Sequence, residues 1–383
     1  MEKPKIRFLK NKHSWVRSTF EGIAKRRTKS SDNPDLPRIE YQDILSGEGR
    51  LNKELSKNID CRKGIVFETN DILYGKLRPY LKNWLHPNFN GIALGDFWVL
   101  QARNCDSKFL FSLLQSPKFQ RVANDTSGTK MPRSDWKTVS QTEFSIPASN
   151  DEQSALGSLF RTLDDLLASY KDNLTNYQSL KENMLSKMFP KAGQTVPEIR
   201  LDGFEGEWEE KEFIQIVNRV TESSDSDSLP KVEFEDIISG QGKLNKDISS
   251  KFDNRKGILF KPGYTLYGKL RPYLNNWLLP KFEGVALGDF WVFDPNGNNS
   301  DFIYYLVQSS RYQKVANDTS GTKMPRSDWK SVSTTIFAIP QTIAEQQVIG
   351  TYFSNLDNLI NSYREKISQL EILKKKLLKD MFI

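Results

Sequence analysis

The hydrophobic positions between Asp151 and Phe189 recur at steps of three and four, the spacing of a helix face that packs against another helix. No glycine or proline falls between Gly157 and Pro190. About 39 residues, each rising about 1.5 Å, predict a helical rod of about 60 Å. The apolar positions of this first seam are Leu156, Leu159, Leu163, Leu166, Tyr170, Leu174, Tyr177, Leu180, Met184 and Met188.

The same pattern returns 193 positions later in the chain. This second seam consists of Ile349, Tyr352, Leu356, Leu359, Tyr363, Ile367, Leu370, Leu373 and Leu377. The segment MLSKMFP at 184–190 is matched by LLKDMFI at 377–383. We expect the two seams to bury each other as a pair of antiparallel helices. The alternative is two unrelated surface helices, each packed on its own domain.

An offset of 193 residues relates the rest of the two halves as well. LYGKLRPYL occurs at 73–81 and 266–274, and VANDTSGTKMPRSDW at 122–136 and 315–329. ALGDFWV, which begins at residue 93, returns at residue 286. Because no insertion or deletion separates the copies, the halves are predicted to share one fold, loop for loop. The period is too long for a solenoid, whose units reach about 50 residues.

These patterns predict an α+β protein with an internal pseudo-two-fold repeat. Two similar globular α/β domains are expected to be separated by two long, antiparallel, coiled-coil-like helices. The chain of 383 residues has room for two domains of about 150 residues each and for both helices. The predicted boundaries are a first domain at 1–149, a central helix at 150–190, a linker at 191–200, a second domain at 201–341 and a C-terminal helix at 342–383.

Composition and charge favour a cytoplasmic protein with a mild preference for polyanions. Lys and Arg number 55 against 48 Asp and Glu, which gives a net charge of +7 and a pI near 9.0. No apolar run approaches the roughly 20 residues that cross a bilayer. The N-terminal sequence also lacks the apolar stretch of a signal peptide.

The repeat also restricts the chemistry that both halves can share. The counterparts of Cys61, Cys105, His13 and His86 are Asn254, Asn298, Gly206 and Leu279. Since no thiol or imidazole recurs, a duplicated metal site or cysteine nucleophile is not expected. The cysteines are interpreted as reduced thiols, with a disulfide as the minor reading. The sequence contains neither a phosphate-binding P-loop nor a dinucleotide-binding glycine motif, so no enzymatic core is predicted.

The first candidate binding surface lies in LYGKLRPYL. Short strands are predicted at 65–67 and 71–74 from their β-branched and aromatic residues. If the strand continues, Lys76 and Arg78 lie on one face together with Tyr80, and cations between aromatic rings suit nucleic acid. The equivalent residues of the second half are Lys269, Arg271 and Tyr273. The alternative is a solvated strand whose tyrosines belong partly to the core.

The second candidate surface is the segment 124–136, whose glycine, proline and polar residues predict a loop. It carries Lys130, Met131 and Arg133, and its copy carries Lys323, Met324 and Arg326 without a single change. A loop that only connects helices usually varies more than the helices do, so we predict that it contacts DNA. The alternative is a buried structural turn held by Trp136 and Trp329.

Beyond this loop, each half continues with a strand ending in Ile-Pro, then Glu-Gln, then the long helix. The acidic residues suit the first turn of that helix, where they oppose the positive end of its dipole. This order, with G-T-K-x-P-R in the loop and D-I-L-Y-G-K-L-R-P-Y-L at 71–81, resembles the specificity subunit of type I restriction–modification enzymes. The resemblance covers the whole chain and occurs twice.

The resemblance implies a non-catalytic subunit with two target-recognition domains that bind an interrupted, bipartite DNA sequence. Its partners would be double-stranded DNA, two methyltransferase subunits and the restriction subunits. No cofactor is expected in this chain, because S-adenosylmethionine, ATP and Mg²⁺ would be bound by the partner subunits. Helix pairing and partner docking would involve Leu156, Leu163, Leu166, Tyr170, Ile349, Leu356, Leu359 and Tyr363. Family members usually carry divergent recognition domains, whereas these are nearly alike.

Two other functions fit the same patterns. One is a stand-alone DNA-binding or architectural protein that grips DNA without partner subunits. The other is a coiled-coil scaffold whose basic loops bind protein. The near identity of the halves predicts two closely related, inverted half-sites, except where residues 25–29 differ from 218–222.

Overall fold

The computed structural model describes residues 4–8, 14–52, 61–125, 130–248, 254–319 and 323–382. The chain forms two compact units, the first made of Met1–Asp172 and Arg364–Ile383 and the second of Asn173–Tyr363. Both boundaries fall inside long helices, so each unit contains part of both helices. Among the described residues, no helix is long and apolar enough to cross a membrane.

The first unit is built from short strands and small helices that precede one long helix. Its strands are β1 (Trp15–Thr19), β2 (Ala24–Arg27), β3 (Ser30–Ser31), β4 (Arg38–Ile39), β5 (Ile44–Leu45), β6 (Arg50–Leu51), β7 (Gly64–Phe67), β8 (Ile72–Gly75), β9 (Trp84–Leu85), β10 (Gly91–Ala93), β11 (Phe97–Ala102) and β12 (Glu143–Pro147). Its helices are α1 (Phe20–Ile23), α2 (Ser107–Gln115), α3 (Pro117–Ala123), α4 (Trp136–Gln141) and α5 (Asn150–Lys187).

The second unit repeats these elements at the predicted offset. Its strands are β13 (Glu209–Glu212), β14 (Asn218–Val220), β15 (Ser223–Ser224), β16 (Lys231–Val232), β17 (Ile237–Ile238), β18 (Lys243–Leu244), β19 (Gly257–Phe260), β20 (Thr265–Gly268), β21 (Trp277–Leu278), β22 (Gly284–Ala286), β23 (Phe290–Asp294) and β24 (Ile336–Ile339). Its helices are α6 (Phe213–Ile216), α7 (Ser300–Leu306), α8 (Ser310–Ala316), α9 (Trp329–Ser333) and α10 (Ile343–Met381). The predictions of an α+β fold and of a shared topology are confirmed.

Two four-stranded sheets form the centre of each unit. In the first unit the strand orders are β2-β11-β8-β9 and β3-β7-β10-β4, and the second unit has the equivalent orders. All pairings are antiparallel except β10 with β4, and the equivalent β22 with β16. The central strand β11 begins with four consecutive buried apolar residues because it has strands on both edges and core on both faces.

The small helices begin at defined caps. The side chain of Asp106 accepts a hydrogen bond from the backbone N–H of Phe109 and starts α2, and Ser116 starts α3 just before Pro117. Helix α5 crosses α2 at Gly157, where an added Cβ would lie 2.4 Å from the backbone nitrogen of Phe109. The glycine near the start of the long helix therefore permits a close approach between helices.

The two long helices run antiparallel where they meet in the first unit. Leu156, Phe160 and Leu163 of α5 share a buried cluster with Leu378 and Met381, at the far end of α10. Charged groups flank this contact, since Lys374 forms an ion pair with Asp164 and Lys171 lies 2.9 Å from Glu371. The predicted antiparallel pairing is confirmed within this unit.

The second unit contains the equivalent contact with the roles of the helices exchanged. Leu185, Met188 and Phe189, near the end of the first long helix, share a cluster with Phe353 and Leu356 of α10. Lys181 donates to Asp357 at 2.7 Å, and the rings of Tyr177 and Tyr363 lie 5.4 Å apart. The core of each unit is therefore completed by the helix of the other repeat.

The exact path of the seams differs from the prediction at two positions, Leu166 in the first seam and Leu373 in the second, and Leu373 is 43% exposed. Leu166 is 40% exposed, whereas Leu167 is buried. The buried residues of this helix face are Phe160, Leu163 and Leu167. Steps of three and of four are both compatible with one helix face, so the residue after Leu163 in the seam can be Leu166 or Leu167. In the second seam Ile349 and Leu356 are buried, while Leu359 and Tyr363 are half-buried, as is Tyr170.

The Glu-Gln pair at the start of each long helix is a buried anchor. Glu345 is 3% exposed and accepts two hydrogen bonds from Arg200, at 2.7 and 2.8 Å, and a third from the indole of Trp208. Gln346 binds the carbonyl of Pro340 and accepts from the backbone N–H of Asn299. Glu152, Gln153, Arg7 and Trp15 make the same contacts in the first unit.

Candidate nucleic-acid interface

The strand that leads to the first candidate surface ends earlier than predicted. The strands β7 and β8 confirm the predictions at 65–67 and 71–74, but β8 stops at Gly75. A 3₁₀ turn at Pro79–Leu81 follows, with Arg78 at φ 48° on one side and Lys82 at φ 54° on the other. The backbone of Arg78 is in the left-handed region and Pro79 has no N–H to donate to a neighbouring strand. The chain therefore leaves the sheet at this point. The expectation that Lys76, Arg78 and Tyr80 share one face of a strand is wrong.

This turn separates the two tyrosines of the motif. Tyr74 is 1% exposed and its ring lies among core aromatic residues, whereas Tyr80 is 55% exposed. The equivalent residues Tyr267 and Tyr273 are 1% and 57% exposed. The alternative that the tyrosines belong to the core is thus correct for the first of each pair. The second of each pair lies on the surface.

The backbone of the turn is held in an uncommon conformation in both units. The second copy has Arg271 at φ 48° and Asn275 at φ 55°. Non-glycine residues in the left-handed region cost about 1–3 kcal/mol each, and such strain is concentrated at functional sites. Because both units retain this strained turn, the turn is a candidate for direct contact with a ligand.

The two candidate segments of the first unit meet, although residues 82–123 lie between them in the sequence. The N–H of Arg78 donates to the carbonyl of Pro132 at 2.7 Å, and the N–H of Ser134 donates to Lys76 at 2.8 Å. Leu77 and Arg133 form a β-bridge between these bonds. In the second unit the corresponding bridge joins Leu270 and Arg326. Residues 126–129 and 320–322 of the two loops lie outside the described residues.

A carboxylate that sequence reasoning missed lies between the cations. Asp96 is 3.0 Å from the guanidinium of Arg133 and 3.6 Å from the ammonium of Lys76. Asp289 is 2.8 Å from Arg326 and 3.7 Å from Lys269. The available signal was ALGDFWV, which both halves keep unchanged. We call these two groups the Asp96 cluster (Lys76, Asp96, Arg133) and the Asp289 cluster (Lys269, Asp289, Arg326).

Exposed apolar side chains accompany each cluster. Met131 is 51% exposed and Met324 is 52% exposed. Lys130 and Lys323 are exposed in the same two loops. These residues form a surface with cationic, acidic and apolar groups together, so the loop itself is not a buried turn.

The end of the loop, in contrast, is fixed to the core. The carboxylate of Asp135 caps α4 by accepting from the N–H of Thr138, and the hydrogen bond from the Thr138 hydroxyl, together with this backbone bond, lowers the pKa of Asp135. The ring of Trp136 packs edge-on against Trp98 at 5.1 Å. The structural alternative therefore holds for Trp136, while Lys130, Met131 and Arg133 remain outside the core. No group of three or more potential metal ligands occurs in the part of the chain that the structure describes.

Comparison with known protein families identifies the repeated domain. The family described as "Type I restriction modification DNA specificity domain" matches residues 208–372. The first half has the same motifs at a constant offset and the same sheet topology. This match agrees with the resemblance of the chain to the specificity subunits of type I restriction–modification systems.

Two relatives carry corresponding names. The Type I restriction enzyme EcoDI specificity subunit of Escherichia coli is 24% identical over 190 residues, which cover 47% of this chain and 42% of that protein. The MjaVIII specificity subunit of Methanocaldococcus jannaschii is 21% identical over 376 residues, covering 88% and 84%. The match therefore spans less than half of the first relative. Both are named as specificity subunits, in agreement with the expectation of a non-catalytic chain.

Solved structures share the fold. The S subunit of a type I restriction–modification system from M. genitalium superposes with a TM-score of 0.65 at 15% identity, covering 100% of this chain and 99% of that one. A chain from a structure that addresses complex assembly and conformational transition of the type I system gives a TM-score of 0.53 at 16% identity, with coverage of 95% and 96%.

Proposed function

We propose that this chain is the DNA-specificity subunit of a type I restriction–modification system and that it reads DNA through its two loop surfaces. The observation that carries the proposal is the duplicated surface. The Asp96 cluster and the Asp289 cluster present the same three charged groups with the same distances to within 0.2 Å. Both lie beside an exposed tyrosine and an exposed methionine.

The groups in each cluster are suited to reading base pairs. An arginine fork pairs with the O6 and N7 atoms of guanine, and a carboxylate accepts from the amino group of cytosine. Arg133 and Asp96 could therefore address the two bases of one G·C pair. Lys76 and Lys130 act as point charges for phosphates, which add affinity without sequence information. The ion pair with Asp96 also holds the Arg133 guanidinium in place before DNA binds.

Two nearly identical reading surfaces on one chain suit an interrupted target with two closely related, inverted half-sites. Both units depend on the long helices for their cores, and we propose that exposed faces of these helices dock the methyltransferase and restriction subunits. Leu166, which the seam leaves exposed, is available for that role. S-adenosylmethionine, ATP and Mg²⁺ would then be bound by those partner subunits. The names of the relatives support this assignment.

The experiment that tests the proposal is a methylation map. The full chain is co-expressed with the methyltransferase subunit of its system, and methylated adenines are located across the genome. We expect one interrupted motif with two related half-sites. Arg133→Ala should relax one base pair in one half-site, and Arg326→Ala the corresponding pair in the other. Two unrelated half-sites, or motifs unchanged by either variant, would contradict the proposal.

Co-purification separates this function from its nearest alternative. A specificity subunit should retain the methyltransferase subunit through affinity purification and gel filtration. A stand-alone DNA-binding protein would bind duplex DNA alone and leave that subunit behind. A protein scaffold would bind no DNA, even at low salt, where phosphate contacts are strongest.

A further inference from the structure

A groove of about 730 Å³ lies beside Trp136 in the first unit. It is lined by Lys25 and Arg26 from β2 and by Arg103, which follows β11. The guanidinium of Arg26 stands 5.1 Å from the ring centre of Trp136. Glu21 is the one carboxylate among the described lining residues. Three cations against one acid make this groove electropositive.

The three cations are available to a ligand. Lys25, Arg26 and Arg103 are exposed, and none of them forms an ion pair with any residue that the structure describes. Arg27, the next residue on β2, differs, because it pairs with Glu68 at 2.7 Å and with Asp71 at 2.6 Å. The basic run of this strand therefore divides into one structural arginine and two residues that face solvent.

The second unit has the equivalent strands and the equivalent arginine–tryptophan contact, but it lacks most of the positive charge of the groove. Strand β14 pairs with β23 as β2 pairs with β11, and Arg219 stands 4.5 Å over Trp329. The counterparts of Lys25, Arg103, Gln101 and Lys29 are Asn218, Asn296, Asp294 and Glu222. Arg219 is the one cation that remains at these positions, and two of the replacements, Asp294 and Glu222, are acidic.

Internal hydrogen bonds occupy the replaced positions. Asn218 donates to Asn296 at 3.1 Å, and Asn296 donates to the carbonyl of Gln215 at 3.1 Å. The first unit presents free cations where the second unit satisfies its polar groups internally. The two halves share the loop surface that we assign to base reading, and they differ in this neighbouring groove.

The groove lies at the end of the segment that carries Arg133. Trp136 lines it and stands three residues after Arg133 in the same loop. A duplex that contacts Arg133 would continue along its backbone past Trp136. The groove offers one lysine and two arginines spread along a strand edge, an arrangement that follows phosphates rather than a single base.

We propose that this groove of the first unit binds the phosphodiester backbone of DNA, with Lys25 and Arg103 making contacts that the second unit lacks. The inference rests on the proposed function and deepens it. The two units would recognise related half-sites with unequal electrostatic contributions. The first unit would then dominate the salt dependence of binding and hold its half-site more tightly.

The repeat supplies the experiment, because each residue can be exchanged for its counterpart. In the full chain, Lys25→Asn and Arg103→Asn are combined, and the reciprocal variant combines Asn218→Lys and Asn296→Arg. Affinity for a labelled duplex is measured by anisotropy between about 50 and 200 mM salt. Circular dichroism verifies folding. The control is Lys281→Asn, an exchange for the residue at position 88 that removes an exposed cation outside the groove.

Each phosphate contact contributes about 0.9 to the slope of log affinity against log salt. The first variant should therefore lower the slope by about 1.8 and reduce the change in affinity across this salt range about tenfold. The reciprocal variant should raise the slope, and the control should leave it unchanged. The inference is overturned if the first variant leaves the slope of log affinity against log salt unaltered. It is also overturned if the control lowers that slope by the same amount per charge removed. In either case the proposal that the chain binds DNA would still stand. If the unaltered chain binds no duplex, both proposals fail.

Discussion

Replacing Glu345 by glutamine is expected to destabilise the second unit strongly, because it removes the charge of a buried ion pair. The carboxylate is 3% exposed and accepts hydrogen bonds from Nε and Nη2 of Arg200 at 2.7 and 2.8 Å. The hydrogen bond to Glu345 also raises the pKa of Arg200, which keeps the guanidinium charged at every practical pH. The variant would therefore leave a cation beside a neutral amide.

Breaking a buried ion pair by removing one partner costs about 3–5 kcal/mol. Arg200 keeps 16% of its side-chain exposure and two bonds to the carbonyls of Glu205 and Gly206, so part of its charge stays solvated. We expect a loss near the lower limit, about 3 kcal/mol in the free energy of unfolding. Glu152→Gln should cost a similar amount in the first unit, where Arg7 makes the same bidentate pair.

Urea unfolding of the full chain, followed by tryptophan fluorescence, measures the effect, since Trp208 donates to the same carboxylate. A double variant, Arg200→Met with Glu345→Gln, serves as the control. It removes both charges and should recover much of the lost stability, because the remaining side chain needs no counter-ion. A change below about 0.5 kcal/mol for Glu345→Gln, the size of an ordinary surface substitution, would refute the reasoning.

Three further predictions follow from the described contacts. Leu163→Glu should destabilise the first unit by more than about 3 kcal/mol in urea unfolding because it buries an unpaired charge, while the exposed neighbour Leu166→Glu should change stability by less than about 0.5 kcal/mol. Burial lowers the pKa of His86 to about 4, so the unfolded state takes up the proton first and stability falls by up to about 3 kcal/mol as pH drops from about 6.5 towards 4. The variant His86→Leu, which introduces the residue found at Leu279, should flatten that dependence. Fragment 1–193 should form a homodimer in light scattering, because a second copy can supply the helix end that completes the first unit.

Each of these expectations has an outcome that contradicts it. Equal losses of stability for the two leucine variants would mean that Leu166 is buried in the seam as well as Leu163. A thermal midpoint with the same pH dependence before and after the histidine exchange would mean that the imidazole is not buried neutral. A monomeric, soluble fragment at tens of micromolar would mean that the helix covers its own domain.

The repeat and the helices were predictable because they depend on local pattern. The constant offset predicted one topology for both halves, and spacing in the seams predicted α5 and α10. The sequence does not determine which residues of the seam are buried, because Leu166 and Leu167 both satisfy a helical spacing from Leu163. The predicted seam therefore contains Leu166 and lacks Phe160, which is buried. Only the partner helix selects between Leu166 and Leu167.

The candidate site was predictable in its residue types and not in its geometry. Lys76 and Arg133 were found from the unchanged repeats, but their meeting at Asp96 depends on a bridge between distant segments. The strand pattern at 73–81 gave no sign that Arg78 would adopt a left-handed conformation. The position of Glu345 in the first turn of a helix indicates an interaction with the helix dipole, whereas its partner in the structure is an arginine 145 residues earlier.

The anchoring of the N-terminal segment has a consequence for chain connectivity. The N–H of Ile6 donates to Asp380 near the end of α10, and the N–H of Ile199 donates to Lys187 at the end of α5. The two contacts are equivalent, since Ile199 and Asp380 lie 193 positions after Ile6 and Lys187. Residues 191–196 connect the chain covalently only at the contact between Ile199 and Lys187. A circular permutant in which a copy of that hexapeptide replaces residues 1–3 and joins Ile383 to Pro4, and which opens within 191–196, should keep both cores, with the order of the two units exchanged.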